Sequence, residues 1–546
     1  MTGARSGSVG GTTTSGSAEH TPGRKYSGAT TAQRAEAAGA AEKTEQGQWE
    51  WAVRRGSVAA LLLWLGFASA CTVGPRYARP SASAPAPDAW KTQPPWQQAA
   101  PRDAIPKGSW WQIFQDPALD GYEQQLLQAN QSLVAARDRL SQARSLARIA
   151  TADYFPQVSA DPSAIRERGS GNRPVNGAAV ANGVRRPYTQ SVYTIPFSLS
   201  YEADLFGRVR KNVEAANASL QSTAADLGNV QLVLTAELAA DYFTLRELDA
   251  EYQVVEESVG YQRKALDLLN QRHTGGIASG LEVAQQATLL DSTISQAALV
   301  LQTRAQYEHA IAVLVGQPAP NFSVPVAPLK TTPPAVPLGV PSDALERRPD
   351  IATFERDIAF ANAKVGLART AFYPHITLGG AGGLQSTAIS SLFNAPSLFW
   401  SLGADALEPV LQGGRNRANL AAARAAYDEA VANYRQTVLT AFQQVEDGIS
   451  NLSTLSQALS TQGAAVEDAR KALEIANNRY VGGVTNYLDV ITAQTTLLSN
   501  QRLETQLLGQ QLVSTVYLVK ALGGGWDSSE IKDEQVHPQP GQILQQ

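Results

Sequence analysis

A mainly α fold with a small β part, made twice over within one chain, is what this sequence predicts. Three observations carry the prediction. First, NQRHTGGIASGLEV beginning at Asn270 returns as NNRYVGGVTNYLDV beginning at Asn477, with matched positions 207 residues apart (Gly482 minus Gly275). A second match, LARIATADYFPQV ending at Val158 and LARTAFYPHI ending at Ile376, sets Pro156 and Pro374 in register. An internal repeat constrains the architecture before any single residue is interpreted. Second, long proline-free stretches carry apolar residues at threes and fours, which is helix periodicity. Third, short segments ahead of those stretches alternate apolar and polar residues with period two, which is strand periodicity. Each copy therefore reads helix, strands, long helix, turn, helix.

Residues 1–50 are rich in Gly, Ser, Thr and Ala without an apolar period, a composition that cannot bury enough surface to fold. After Arg54 and Arg55 comes an apolar run, Val58 to Phe67, then Ala68, Ser69, Ala70 and Cys71. Basic start, short apolar core and small-residue end make an export signal too short to span a membrane as a helix. An alternative start near Val53 would put that signal at the beginning of the chain. Small residues before a lone cysteine resemble a bacterial lipobox, which would make Cys71 the lipidated first residue of the mature protein; the alternative is a buried free cysteine. Residues 1–70 are thus expected to be an extension plus lipoprotein signal, and 71–116 a mature N-terminal segment.

The first repeat spans 117–316. A helix is expected over Pro117 to Tyr154, and a strand pair from Gln157 to Arg166 and from Tyr193 to Tyr201. In the latter Tyr193, Ile195, Phe197, Leu199 and Tyr201 alternate with polar residues and Pro196. From Arg208 to Gln271 there is no proline, and Leu234, Leu238, Tyr242, Leu245, Leu248, Tyr252, Val255 and Val259 form one narrow stripe. At 1.5 Å per residue such a helix is roughly 95 Å long, a length that belongs to coiled coils. Gly275 and Gly276 end it, because glycine takes the left-handed cap, and a returning helix follows from about Leu281 to Val315. A proline-rich linker, 317–344, separates the copies.

The second repeat, 345–526, has the same parts. A helix begins at Pro349, which suits the first helical position, with Asp350 at the positive end of the dipole. Strands follow at His375 to Ser386 and Leu398 to Ala404. A second long helix carries Tyr434, Val438, Val445 and Ile449 on its stripe, Gly482 and Gly483 end it, and Tyr487 to Leu522 returns. Gly207, Gly413 and Gly414 read as strand-to-helix turns. Two half-length helices end to end match one long helix, so their junction should lie midway, collared by the mature N-terminus, the linker and the chain after Gly523. Residues 527–546 are expected to be a disordered tail. Four strands cannot close a barrel alone, and an open edge in lipid is prohibitive; if the strands are in a membrane, the protein is an oligomer.

Composition excludes several classes. One cysteine in 546 residues rules out an internal disulfide and cysteine-based metal clusters, and five scattered histidines suggest no metal site. A net charge of −4, or −6 without residues 1–70, gives no reason to expect nucleic-acid binding. With no nucleophile motif, phosphate loop or acid pair in a plausible cleft, the chain reads as neither an enzyme nor a cofactor binder.

The stretch LERRPDIATFERDIAFANAKVGLARTAFYPHI, Leu345 to Ile376, resembles the TolC-related outer-membrane efflux family, in its OprM-type lipoprotein branch. WWQIF from Trp110, YEADLFGRVR from Tyr201, LQGGRNR from Leu411 and ALGGGW from Ala521 resemble the same branch, in order, between about Cys71 and Trp526. The resemblance implies a homotrimer whose twelve strands form one outer-membrane barrel and whose helices form a periplasmic tunnel. It implies a passive exit duct for drugs and other small toxic compounds, with a periplasmic adaptor and an inner-membrane pump of the resistance-nodulation-division class as partners. It also places Tyr480 on a tyrosine that latches the closed helix tip, Asp489 on a first acidic constriction and Thr492 on a second. Relatives in the branch usually carry Asp at that second position and Arg three residues on, where this chain has Thr492 and Thr495. Other readings are a duct for metal ions or secreted proteins, or a periplasmic coiled-coil scaffold. A metal filter is disfavoured because soft metals take methionine and cysteine ligands and the mature chain would hold no methionine.

Overall fold

The computed structural model describes residues 73–81, 90–91, 109–170, 188–327, 329, 333–334, 336, 347–531 and 534–537. The helices are α1 (Pro117–Ala129), α2 (Gln131–Ala152), α3 (Arg208–Thr274), α4 (Gly280–Leu314), α5 (Pro349–Thr370), α6 (Arg415–Val481) and α7 (Tyr487–Ala521). The strands are β1 (Gln157–Ala160), β2 (Ser163–Gly169), β3 (Tyr188–Glu202), β4 (His375–Ser386) and β5 (Leu398–Leu407). The long helices α3 and α6 have 67 residues each, and the returning helices α4 and α7 have 35 each. At 1.5 Å per residue, α3 and α6 are about 100 Å long. The stripe residues are the buried ones: Leu238, Leu245 and Val255 of α3 and Val438, Val445 and Ile449 of α6 are at most 2% exposed.

Above the midpoint of the long helices, α2, α3, α5 and α6 pack side by side in that order; below it the order is α4, α3, α7, α6. The two half-length stacks meet where expected, in a joint the repeat has copied. Asn130, the N-cap of α2, donates its side-chain amide to the carbonyl of Leu314 at the end of α4 (2.8 Å). Arg348, the N-cap of α5, donates its guanidinium to the carbonyl of Ala521 at the end of α7 (3.0 Å). In both joints a glycine turns the chain with φ positive, +72° at Gly316 and +95° at Gly523. A Cβ there would lie 2.5 Å from the Ala129 carbonyl oxygen and 2.1 Å from that of Arg347, closer than any side chain tolerates.

Asn130 also corrects one expectation. The helix expected over Pro117 to Tyr154 is two helices, because Asn130 leaves helical geometry at ψ 121° and its side chain accepts from the Leu133 amide, capping a new start. Around the joints lies the largest core: Trp110, Trp111 and Phe114 of the N-terminal segment pack with α1, with Leu232 to Leu245 of α3, and with Val445 to Leu452 of α6. The linker is tied to the same level. Arg246 donates to the Pro325 carbonyl, Arg304 to that of Val324, and Asp249, buried between both arginines, accepts from the Ala327 amide.

The tail departs from its expected disorder in 527–531 and 534–537. Trp526 and Ile531 pack against Ala225 and Ala352, Glu534 accepts from Arg144 (3.1 Å), and Val536 exchanges two hydrogen bonds with the Asn217 amide (3.0 and 3.2 Å). A short stretch without apolar periodicity reads as a tail in one dimension, and only the fold lays it along α2 and α3.

The strands form one antiparallel sheet in the order β1/β2, β3, β4, β5, so the two expected hairpins are joined through β3 and β4. The stretch expected as one strand, Gln157 to Arg166, is interrupted at Asp161 and Pro162, where proline cannot donate to the ladder. Register sorts the sheet into two faces. Val158, Leu199, Gly380 and Leu402 stand in one cross-strand row, and Ala160, Phe197, Gly382 and Trp400 in the next. Facing the other way are Ser159, Ser198, Ala381 and Ser401, and Gln157, Ser200, Gly379 and Gly403. The apolar face is bare: Phe197 is 57% exposed, Trp400 75% and Leu402 81%. Loop 171–187 lies outside the described residues.

Candidate functional site

The two Gly-Gly turns stand at the ends of α3 and α6 farthest from the sheet. Both close by the same pair of bonds. Gly276 donates to the His273 carbonyl and Ile277 to that of Arg272; Gly483 donates to the Tyr480 carbonyl and Val484 to that of Arg479. This is the Schellman arrangement, and it needs a left-handed residue. The second glycine of each pair supplies it, with φ +73° at Gly276 and +70° at Gly483, while Gly275 and Gly482 remain near −77°. The helix that follows each turn is capped, by Ser279 with Glu282 reaching back (2.8 Å) and by Asn486 accepting from the Asp489 amide (3.3 Å).

Beneath the second turn the chain builds a cross-link that the first lacks. The Tyr480 and Tyr487 rings meet edge to face at 4.9 Å, and the Arg272 guanidinium lies 5.6 Å from the centre of the Tyr480 ring. The Tyr487 hydroxyl donates to the side-chain carbonyl of Gln286 (2.9 Å), whose amide donates to the Gln262 carbonyl (3.0 Å). One chain of contacts therefore binds α7 to α4 and α3. Burial, with Tyr480 and Glu282 adding to it, pushes the Tyr487 phenol up to about 12, so it stays a donor at any ordinary pH. Gln286 is fully buried. Nothing in one sequence flags Gln286 or Gln262, since a glutamine is informative only when its partner is known; the departure of Tyr487 from Gly280 at the matching repeat position is the one signal that was readable.

Asp489, Thr492 and Thr495 are exposed in the single chain. Asp489 accepts from the Thr485 hydroxyl. Thr492 and Thr495 turn their hydroxyls onto the carbonyls of Leu488 and Ile491 (both 2.9 Å). Asp489 and Thr492 share a groove of about 480 Å³ between α6 and α7, into which Arg479 also reaches. Tyr480 is not part of that groove; it belongs to the aromatic cross-link.

At the opposite ends, Gly207 and Gly414 are the N-caps of α3 and α6, with φ +87° and +85°, and Gly413 has φ +57°. Arg208 pairs with Glu202, the last residue of β3, and the Arg210 amide donates to Asp204 (2.8 Å), so β3 passes into α3 through a fixed turn. Cys71 lies outside the described residues. Val73, two residues on, donates its amide to the carbonyl of Phe206 at this same strand–helix junction (3.4 Å). Further described residues of this segment lie beside α5 and α6, Tyr77 donating to Glu355 (2.7 Å) and Trp90 packing on Phe442.

A duplicated helical body with a two-faced sheet at one end and capped turns at the other matches the family model described as outer membrane efflux protein, over residues 123–317 and 340–524. The chain belongs to the outer membrane efflux protein family. It is 33% identical over 476 residues to the solvent efflux pump outer membrane protein SrpC of Pseudomonas putida, covering 86% of this chain and 98% of that one. To the outer membrane protein OprJ of Pseudomonas aeruginosa it is 31% identical over 477 residues, covering 86% and 96%. Among solved structures, the outer-membrane channel OprN superposes with a TM-score of 0.76 at 28% identity, over 84% of this chain and all of that one. VceC of Vibrio cholerae superposes at 0.70 with 29% identity, over 77% of this chain and all of that one. The protein is an outer-membrane channel of an efflux system, with a helical tunnel and a strand part.

Proposed function

We propose that three copies of this chain form the exit duct of a tripartite efflux pump of the resistance-nodulation-division class, passively releasing drugs and other small toxic compounds after the helix tips open. The observation that carries the reading is the sheet: one bare apolar face, one polar face and two edges without a partner strand among the described residues. Backbone groups in lipid must be paired, and with β1 and β2 counted as one interrupted strand, twelve strands from three chains would close the edges while turning Trp400 and Leu402 outward. Both helix layers also end in open edges, α2 and α4 on one side and α6 on the other. Apolar residues stand exposed there, among them Leu299 at 62% and Ile475 at 58%. Adaptor docking is supported by apolar residues repeated at both turns, Ile277 and Leu281 in the first and Val484 and Leu488 in the second, each at least 50% exposed. Nothing in this duct makes or breaks a covalent bond.

Lipidation at Cys71, after removal of residues 1–70, fits the course of the mature N-terminus, because Val73 is tied to the end of the strand part where a lipid chain could reach the inner leaflet. Asp489 would ring the closed tip, with Thr492 and Thr495 leaving the second constriction uncharged. Purified protein in planar bilayers tests the reading: it should run as a heat-labile trimer and conduct cations over anions, and Asp489→Ala should lower that selectivity. Absence of pores would instead favour a scaffold, and unchanged selectivity in Asp489→Ala would remove Asp489 from the constriction.

A further inference from the structure

Below the midpoint, α3, α4, α6 and α7 together line a groove of about 730 Å³. Its floor holds Glu247, whose stem lies across the α7 backbone at Gly509; a Cβ on that glycine would stand 2.4 Å from the Glu247 Cγ. Glu247 is 9% exposed, and its Oε1 is buried without a hydrogen-bond partner among the described residues. The neighbouring carboxylate is satisfied, since Glu251 accepts from both Arg502 Nε (2.7 Å) and Nη2 (2.5 Å). Two phenols flank the groove, Tyr307 from α4 and Tyr517 from α7, the latter 51% exposed. α6 contributes only uncharged side chains to the lining.

We infer that this groove is a binding site for an organic cation with aromatic or aliphatic bulk, its charge set against Glu247 and its apolar part against Tyr307 and Tyr517. The unpartnered Oε1 of a carboxyl that otherwise shares a proton with Glu251 favours a ligand that supplies positive charge in place of that proton, and aromatic faces attract the same charge. The inference rests on the duct reading, because it makes the groove part of the bore. Gln510 and Tyr517 follow Asp489 at multiples of seven residues, so in a coiled-coil helix they share its face.

Burial first, then the charge of Glu251 and a proton shared with its carboxylate, push the Glu247 carboxyl up to about 8, with Arg502 opposing. A bound cation therefore displaces a proton, and its affinity rises with pH. Tetraphenylphosphonium and its isosteric anion tetraphenylborate are the probes, titrated by calorimetry into the purified oligomer in nanodiscs, with empty nanodiscs subtracted. The cation should bind with affinity rising up to tenfold per pH unit between pH 6 and 8, the anion should not bind at this site, and Glu247→Gln should weaken cation binding at least tenfold and flatten the pH profile. Tyr517→Leu, at a half-exposed side chain, should weaken it several-fold without altering the pH slope. Equal binding of both ions, or cation binding unchanged in Glu247→Gln, overturns the site. Conductance of the same samples separates the two readings: pores without cation binding sink this inference alone, whereas cation binding without pores sinks the duct.

Discussion

Glu123 sits on the buried face of α1 between Leu119 and Leu126, fully enclosed, with neither carboxylate oxygen hydrogen-bonded among the described residues. Desolvation, with Asp120 adding to it, holds its acid group well above the ordinary glutamate value. The folded protein therefore keeps a proton that the unfolded chain gives up near pH 4 to 5, so stability falls as pH rises from there toward the folded value. Glu123→Gln should remove that slope, raising the melting temperature at pH 8 more than at pH 5; an equal shift at both would show that Glu123 is ionised in the fold. The same residue marks a limit of reading. Within ALDGYEQQLLQAN it looks like one more solvated helix charge, because its burial depends on which face α3 covers.

At the scale of elements, the long helices were legible because a stripe at threes and fours repeats over 67 residues, and their ends were legible because a Gly-Gly pair closes both at matching repeat positions. The break at Asn130 and the packed tail were not, since both depend on distant carbonyls and side chains. The tip cross-link is the element most exposed to a single change. Tyr487→Phe keeps the ring against Tyr480 but leaves the Gln286 carbonyl without its donor, costing about 1–3 kcal/mol locally. Hydrogen exchange across residues 482–492 should accelerate roughly tenfold, while the core around Trp110 and Phe243 exchanges as before. Equal acceleration in both regions would mean that the turn does not open independently.

On the scale of the whole molecule, the sheet decides whether chains can assemble. Gly383 faces Pro196 across β3 and β4, and a Cβ there would stand 2.1 Å from the Ile195 carbonyl oxygen. Gly383→Val should therefore separate β3 from β4, abolish the heat-labile oligomer on gels and leave the helical circular dichroism largely intact; an oligomer of normal heat stability would show that assembly does not depend on this pairing. Repeat, helix periodicity, strand alternation and family were determined by the sequence alone, because each is a local pattern that survives in one dimension. Only the tertiary structure decided the copied joints at Gly316 and Gly523, the joining of two hairpins into one two-faced sheet, the Tyr487–Gln286 link and the enclosure of Glu247. Each of these depends on two segments brought together from far apart, and the chemistry of either one is ordinary until the other arrives.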